Sequence, residues 1–188
     1  MKIKNIKTAN LKLTKLKLIK SKSYRNIKNN IIDLNQIELY LKKSLNIIYR
    51  YHVNNKTIVF VGIPDYIKKM FKPVLKKSRH VYLNENIWLN GLITNKVFIQ
   101  KYIKKNRIYI PQIRKKPDLI VILDEKKEEK ALKEANCLKI PVISINSNFL
   151  KNSITLYKVP GNFSFYDKKI NNIFLLMIIS ILKKFILK

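Results

Sequence analysis

From residue 34 onward, apolar side chains return every three or four positions. Leu34, Ile37, Leu41, Leu45 and Ile48 make one stripe, while Lys42, Lys43 and Arg50 occupy the other face. This is the spacing of an amphipathic helix over residues 33–52. Asp33, with Gln36 three residues later, is a capping-box-like start. The rhythm then changes. Thr57 to Val61 (TIVFV) is a short β-branched run closed by Gly62, and a continuous apolar run of this kind reads as a buried strand, parallel to its neighbours. Pro64 suits the first turn of a following helix, whose stripe is Ile67, Met70, Phe71 and Val74. Pro73 falls inside that helix and should kink or shorten it. His80 to Leu83 is a candidate second strand.

Asp118 to Leu123 (DLIVIL) is the clearest strand of the chain. Asp124 is placed to cap a helix running through Leu138, with Glu125, Glu128 and Glu129 in its first turns, where the helix dipole favours negative charge. Ala131, Leu132, Ala135 and Leu138 are its inward face, and Pro141 to Ile145 (PVISI) is the next strand. Strand, helix and strand joined by short loops form a βαβ unit, with a parallel sheet and a right-handed crossover. A last helix is expected over 168–186. It contains the most apolar run, Ile173 to Leu182, about half of the ~20 residues needed to span a bilayer, so it reads as a buried helix. The pattern predicts a three-layer α/β sandwich with a mostly parallel sheet over residues 31–188.

Charge changes this picture. Forty Lys+Arg against 11 Asp+Glu give a net charge of +29. Such a chain repels itself and binds polyanions. Lys, Asn, Ile, Tyr and Phe are abundant and have A/T-rich codons, so base composition contributes to the lysine count, but it does not by itself exclude acids. The positive charge is also concentrated. Residues 1–30 carry Lys12, Lys15, Lys17, Lys20, Lys22, Arg25 and Lys28 among others, and the first acid is Asp33. A segment of this kind reads as a basic N-terminal arm that orders on RNA. A cleaved organelle presequence is the competing reading; with Met1 opening the chain, the arm is expected, made in the compartment where it works. Lys68, Lys69, Lys72, Lys76, Lys77 and Arg79 form a second cluster. Lys96, Lys101, Lys104, Lys105, Arg107, Arg114, Lys115 and Lys116 form a third, acid-free from 96 to 116, with Tyr102 and Tyr109 interleaved. Lysine suits point contacts to phosphate, which position a protein without reading bases. Exposed tyrosines can stack on bases or riboses.

Enzyme chemistry finds little footing. The turn after the first strand is Gly62-Ile63-Pro64-Asp65, and the chain holds three glycines, so the glycine-rich phosphate loops of nucleotide-binding sandwiches are missing. His52 and His80 lie in no metal-ligand spacing. His52 ends a helix, where a cation is mildly favoured. The lone Cys137 excludes an internal disulfide and reads as a small core residue. No catalytic residue, cofactor or metal site is expected.

At residues 86–95 (NIWLNGLITN) the chain resembles the WLGG-x-LTN signature of the bacterial-type ribosomal protein S-2 family. Other blocks follow in the family's order: Ile31 to Leu34 (IIDL), Thr57 to Gly62 (TIVFVG), Lys116 to Asp124 (KPDLIVILD), Lys133-Glu134-Ala135 with Ile140-Pro141-Val142, and Pro160-Gly161-Asn162. The resemblance implies a flavodoxin-like sandwich and a structural role on small-subunit rRNA beside neighbouring ribosomal proteins, with no catalysis. Trp88, Gly91, Thr94, Asn95, Pro117, Asp118, Pro160, Gly161 and Asn162 match the family's motifs, and most are expected to hold turns. The chain also departs from the family. Asn90 replaces the first signature glycine, the N-terminal GxHFGH block is replaced by the lysine-rich arm, and the helical-hairpin insertion is reduced to residues 96–116. A trimmed, Lys/Asn/Ile-rich version points to an organelle-encoded protein, mitochondrial first and plastid as the alternative. Two other function classes stay open: an α/β enzyme binding a nucleotide or sugar phosphate, and a membrane-surface protein using the arm and the 173–182 helix.

Overall fold

In the computed structural model of the chain, which describes residues 34–76, 78–84, 87–106, 113, 115–124, 128–147, 157–160 and 168–186, the first stripe is realised as helix α1 (Leu34–Val53). Ile37, Leu41, Leu45 and Ile48 are buried along it; the proposed cap Asp33 lies outside the described residues. The helix stops on Asn55 in the left-handed region (φ 55), where Lys56 N–H reaches back to the Tyr51 carbonyl at 2.9 Å. That is a Schellman stop built on asparagine instead of glycine.

Strand β1 (Ile58–Ile63) is wholly buried. Helix α2 (Asp65–Lys76) begins directly after Pro64 and continues through Pro73, whose ring leaves the carbonyl four residues before it without a helical amide partner. Its stripe is Ile67, Phe71 and Val74; Met70, expected inward, is 46% exposed. Strand β2 (Val81–Asn84) follows, then helix α3 (Lys96–Lys105) inside the third basic run. Strand β3 is Leu119–Ile122, helix α4 Glu129–Cys137, strand β4 Val142–Ser147 and helix α5 Lys168–Ile186. Strand β5 (Tyr157–Pro160) has no counterpart in the sequence reading. Lys158 and Pro160 in a four-residue segment hide it, and both are tolerated because β5 is an edge strand.

The strands make one five-stranded sheet in the order β2-β1-β3-β4-β5, and every pairing is parallel. Alternation along the strands divides the core. Ile58, Phe60, Leu119, Val121, Ile143 and Val159 pack with α1, α2 and α5 on one face. Val59, Val61, Ile120, Ile122 and Val142 pack with Trp88, α3 and α4 on the other. This is the expected three-layer sandwich. From β1 the chain steps outward to β2 through α2, then back across β1 to β3 through α3 on the opposite face. That change of side is what right-handed crossovers require when the direction reverses.

One residue departs from the alternation. Ile63 should share a face with Val61 but packs with the opposite cluster. The β1–β2 register shifts between Val61 and Ile63, and Gly62 there has φ +82. A glycine bulge inserts one position and turns the next side chain over.

Candidate nucleic-acid interface

In sheets of this order, ligands sit outside the carboxyl ends of the strands where the order reverses, here between β1 and β3. That place is filled by the chain itself. A Cβ added at Gly62 would lie 3.6 Å from Glu128 Cγ and 3.7 Å from its Oε1. Glu128 and Asp124 are buried, at 2% and 6% exposure. The Glu128 side chain thus lies against the turn where a phosphate would have to approach the backbone. The same acids correct an expectation. Asp124 does not cap α4; the helix begins four residues later than predicted, with Glu128 at its N-cap position. Asp124 instead accepts the Glu128 N–H through its backbone carbonyl at 3.1 Å. Glu125 lies outside the described residues.

The signature segment is a loop held by one carboxylate. Glu134 on α4 accepts Trp88 Nε1–H at 3.2 Å and Ile93 N–H at 3.1 Å, and it also accepts the Gly91 N–H. Trp88 is buried at 5% exposure. Gly91 has φ +88, and its carbonyl accepts the Asn95 N–H at 2.8 Å. Asn95 occupies the N-cap of α3 without a side-chain capping bond. The loop therefore aims α3. Asn90 is absent from the described non-glycine residues with positive φ, which are Asn55 and Lys139, so the loss of the first signature glycine carries no backbone strain. The two glycines of these turns should differ. At Gly91 a Cβ would sit 3.3 Å from Asn95 Cβ, whereas at Gly62 the nearest atom is at 3.6 Å. Both substitutions meet the left-handed penalty of about 1–2 kcal/mol. Urea denaturation should find Gly91→Ala the more destabilising, by roughly another 1 kcal/mol, because overpacking against backbone-anchored atoms is not relieved by a rotamer change.

Asp118 also holds a turn. Its Oδ2 accepts the Thr57 N–H at 2.8 Å and the Thr57 hydroxyl at 2.9 Å, and Lys56 Nζ lies 3.6 Å from Oδ1. The Thr57 backbone hydrogen bond, first among the causes, keeps this carboxyl below the usual carboxylate range. Pro117 beside it is buried. Pro160 closes β5; Gly161 and Asn162 lie outside the described residues.

His52 is not the helix-end cation expected of it. His80 Nδ1 accepts the Ile58 N–H at 3.2 Å, which leaves the proton of the neutral ring on Nε2. That nitrogen is 2.8 Å from His52 Nδ1. Donation therefore runs from Ile58 to His80 to His52, and both rings must be neutral to sustain it. Burial lowers the pKa of His52, and burial followed by the charge of His52 lowers that of His80 to about 4. Cys137, expected in the core, is exposed because it falls on the outer side of α4. Among the described residues no group of His, Cys, Asp and Glu could hold a metal.

The basic candidates divide by position. Lys72 on α2, Lys101 and Lys104 on α3, and Lys115 after it are exposed, and Lys96 is half-buried at the start of α3. Among the described residues, the salt bridges that occur (Lys42–Glu38, Lys56–Asp118, Lys133–Glu129) engage none of Lys72, Lys101, Lys104 or Lys115. Arg107, Arg114, Tyr109 and the arm residues Lys12, Lys15, Lys17, Lys20, Lys22, Arg25 and Lys28 lie outside the described residues. One residue that organises the site, Glu134, entered the sequence analysis only as part of the Lys133-Glu134-Ala135 block, with no role assigned. Glu134 carried a signal: on a helical wheel it adjoins Leu138 and Ala131 on the apolar arc, and a carboxylate there needs donors.

No helix among the described residues is long and apolar enough to cross a membrane. The apolar run of α5 is spent on the core, with Leu175, Ile178, Ile179 and Leu182 at 3% exposure or less, which removes the face a membrane-surface helix would need.

The profile of the family described as Ribosomal protein S2 matches residues 12–112 and 104–183; the overlap falls in the shortened third basic run. The "Small ribosomal subunit protein uS2" of Dictyoglomus thermophilum is 28% identical over 166 residues, covering 71% of this chain and 67% of its own. Its counterpart in Campylobacter jejuni is 27% identical over 165 residues (70% and 62%), and that of Mesoplasma florum 27% over 168 residues (72% and 63%). The chain thus spans about two thirds of the length of these bacterial relatives. With a parallel β2-β1-β3-β4-β5 sandwich, a signature loop pinned by Glu134 and a profile match over most of its length, this chain belongs to the ribosomal protein S2 family.

Proposed function

We propose that the protein is a structural component of a small ribosomal subunit, held on its rRNA by the basic arm, α2 and the α3 region beside neighbouring ribosomal proteins, and that it works in an organelle, the mitochondrion before the plastid. Family membership supports the ribosomal role and a non-catalytic one. The observation that carries the RNA contact is the set of exposed lysines on α2, α3 and after α3, unmatched by acids among the described residues. The organellar setting is supported by the Lys/Asn/Ile-rich composition and the shortened hairpin.

The test is filter binding of the purified protein to small-subunit rRNA as salt is varied. If about 6–10 phosphates are contacted, affinity falls by roughly 10³–10⁵ between about 50 and 200 mM salt. A flat response overturns the RNA reading, and micromolar binding of one nucleotide from a panel in calorimetry replaces it with the enzyme reading. Co-sedimentation with the small subunit from purified mitochondria or plastids decides the compartment.

A further inference from the structure

Helix α3 is a tandem of two four-residue units, Phe98-Ile99-Gln100-Lys101 and Tyr102-Ile103-Lys104-Lys105. In each unit the isoleucine turns inward: Ile99 is buried and Ile103 packs against the same cluster. In each, the ring turns outward: Phe98 is 63% exposed and Tyr102 43%. Each ring is followed three positions later by an exposed lysine, Lys101 or Lys105. Residues three and four apart on a helix are neighbours, so the two rings stand about one turn apart, roughly 6 Å along the axis, each flanked by a cation. The isoleucines already anchor the helix, so packing does not explain the rings.

We infer that the outward face of α3 is a stacking platform for an unpaired RNA segment, in which Phe98 and Tyr102 take successive bases and Lys101 and Lys105 the phosphates beside them. The inference rests on the rRNA-binding reading and adds its chemistry: single-stranded rather than duplex RNA at this helix. Unpaired bases stack on aromatic side chains, which a duplex does not offer. Charge complementarity favours RNA over protein as the occupant. Lysine is depleted at the cores of protein interfaces, and here Lys101, Lys104 and Lys105 interleave with the rings with no acid between residues 96 and 116.

The experiment uses the full chain and two probes, a ten-nucleotide oligoadenylate and a short RNA duplex. The double variant Phe98→Ala, Tyr102→Ala should bind oligoadenylate roughly tenfold or more weakly per ring with an unchanged salt slope, and bind duplex as before. Lys101→Ala with Lys105→Ala should lower the salt slope by about 1.4, at 0.7 per single-strand phosphate. Phe98→Trp should keep the affinity and show indole quenching on binding. Phe98→Leu, which keeps the apolar volume without a ring, should lose it. Circular dichroism checks that each variant folds. If the wild-type chain shows a steep salt slope while the ring variants bind oligoadenylate undiminished, the platform is wrong and the rRNA reading stands. If the ring variants keep RNA affinity but no longer join the small subunit, the occupant is a protein and the inference fails. A wild-type chain with no salt dependence fails the rRNA reading itself.

Discussion

Glu134→Ala is expected to destabilise the fold by about 3–5 kcal/mol, a large share of the 5–15 kcal/mol by which domains are stable. The carboxylate accepts three N–H groups, from Trp88, Gly91 and Ile93. Hydrogen bonds to a charged acceptor contribute roughly 1.5–3 kcal/mol each, and the donors left behind lose their partner in a loop whose Trp88 and Ile93 are buried. Partial hydration of the loop places the total below the sum of the three. Glu134→Gln should cost about 2 kcal/mol, since the amide retains one acceptor oxygen but presents N–H groups to a donor. Urea denaturation measures both, and equal midpoints for wild type and Glu134→Ala would show that the loop is held by packing alone. Because the loop sets the start of α3, Glu134→Ala should also weaken binding of oligoadenylate, while Gly62→Ala should leave it unchanged.

The second large effect is acid destabilisation through the histidine pair. The folded pKa of His80 is depressed from 6.5 to about 4. Below pH 6.5 the unfolded chain therefore binds the proton and the folded chain does not. The stability from this group is complete above pH 6.5 and is lost as pH falls toward 4, to about 3 kcal/mol at pH 4. The sign follows from the hydrogen bonds. A proton on His80 Nδ1 would face the Ile58 N–H, and one on His52 Nδ1 would face His80 Nε2–H. Asp118 acts in a lower window. Its folded pKa is depressed below 3.8, so its contribution is present above that value and is lost only as pH falls further. The variant His80→Gln can accept from Ile58 and donate to His52 without titrating. Its unfolding free energy between pH 6.5 and 4 should be much flatter than that of the wild type; parallel curves would place the acid sensitivity elsewhere.

The periodicities in the sequence located α1, β1, α2, β2, β3, α4, β4 and α5, since each is a local rhythm of apolar positions carried by residues adjacent in the chain. β5 had no rhythm to read, because two of its four residues are Lys158 and Pro160. Met70 was assigned to the core because its spacing fits a stripe, yet it lies at the border of the buried arc of α2 and is exposed; Cys137 was assigned there as a small residue beside Leu138, yet it falls on the outer side of α4. The start of α4 was placed at Asp124 by a capping rule, whereas the helix begins at Glu129 with Glu128 at its N-cap position.

By itself the sequence determined the α/β class, the parallel βαβ core, the polyanion-seeking charge and the family resemblance. All of these are written in neighbouring residues or in bulk composition. The tertiary structure alone decided that Glu134 closes the signature loop 43 residues away from Gly91, that His52 and His80 pair across 28 residues as neutral rings, that Glu128 fills the crevice over Gly62, and that Phe98 and Tyr102 face solvent beside their lysines. Each of these depends on the stacking of layers across the sheet, and one-dimensional spacing carries no information about which distant groups that stacking brings within reach.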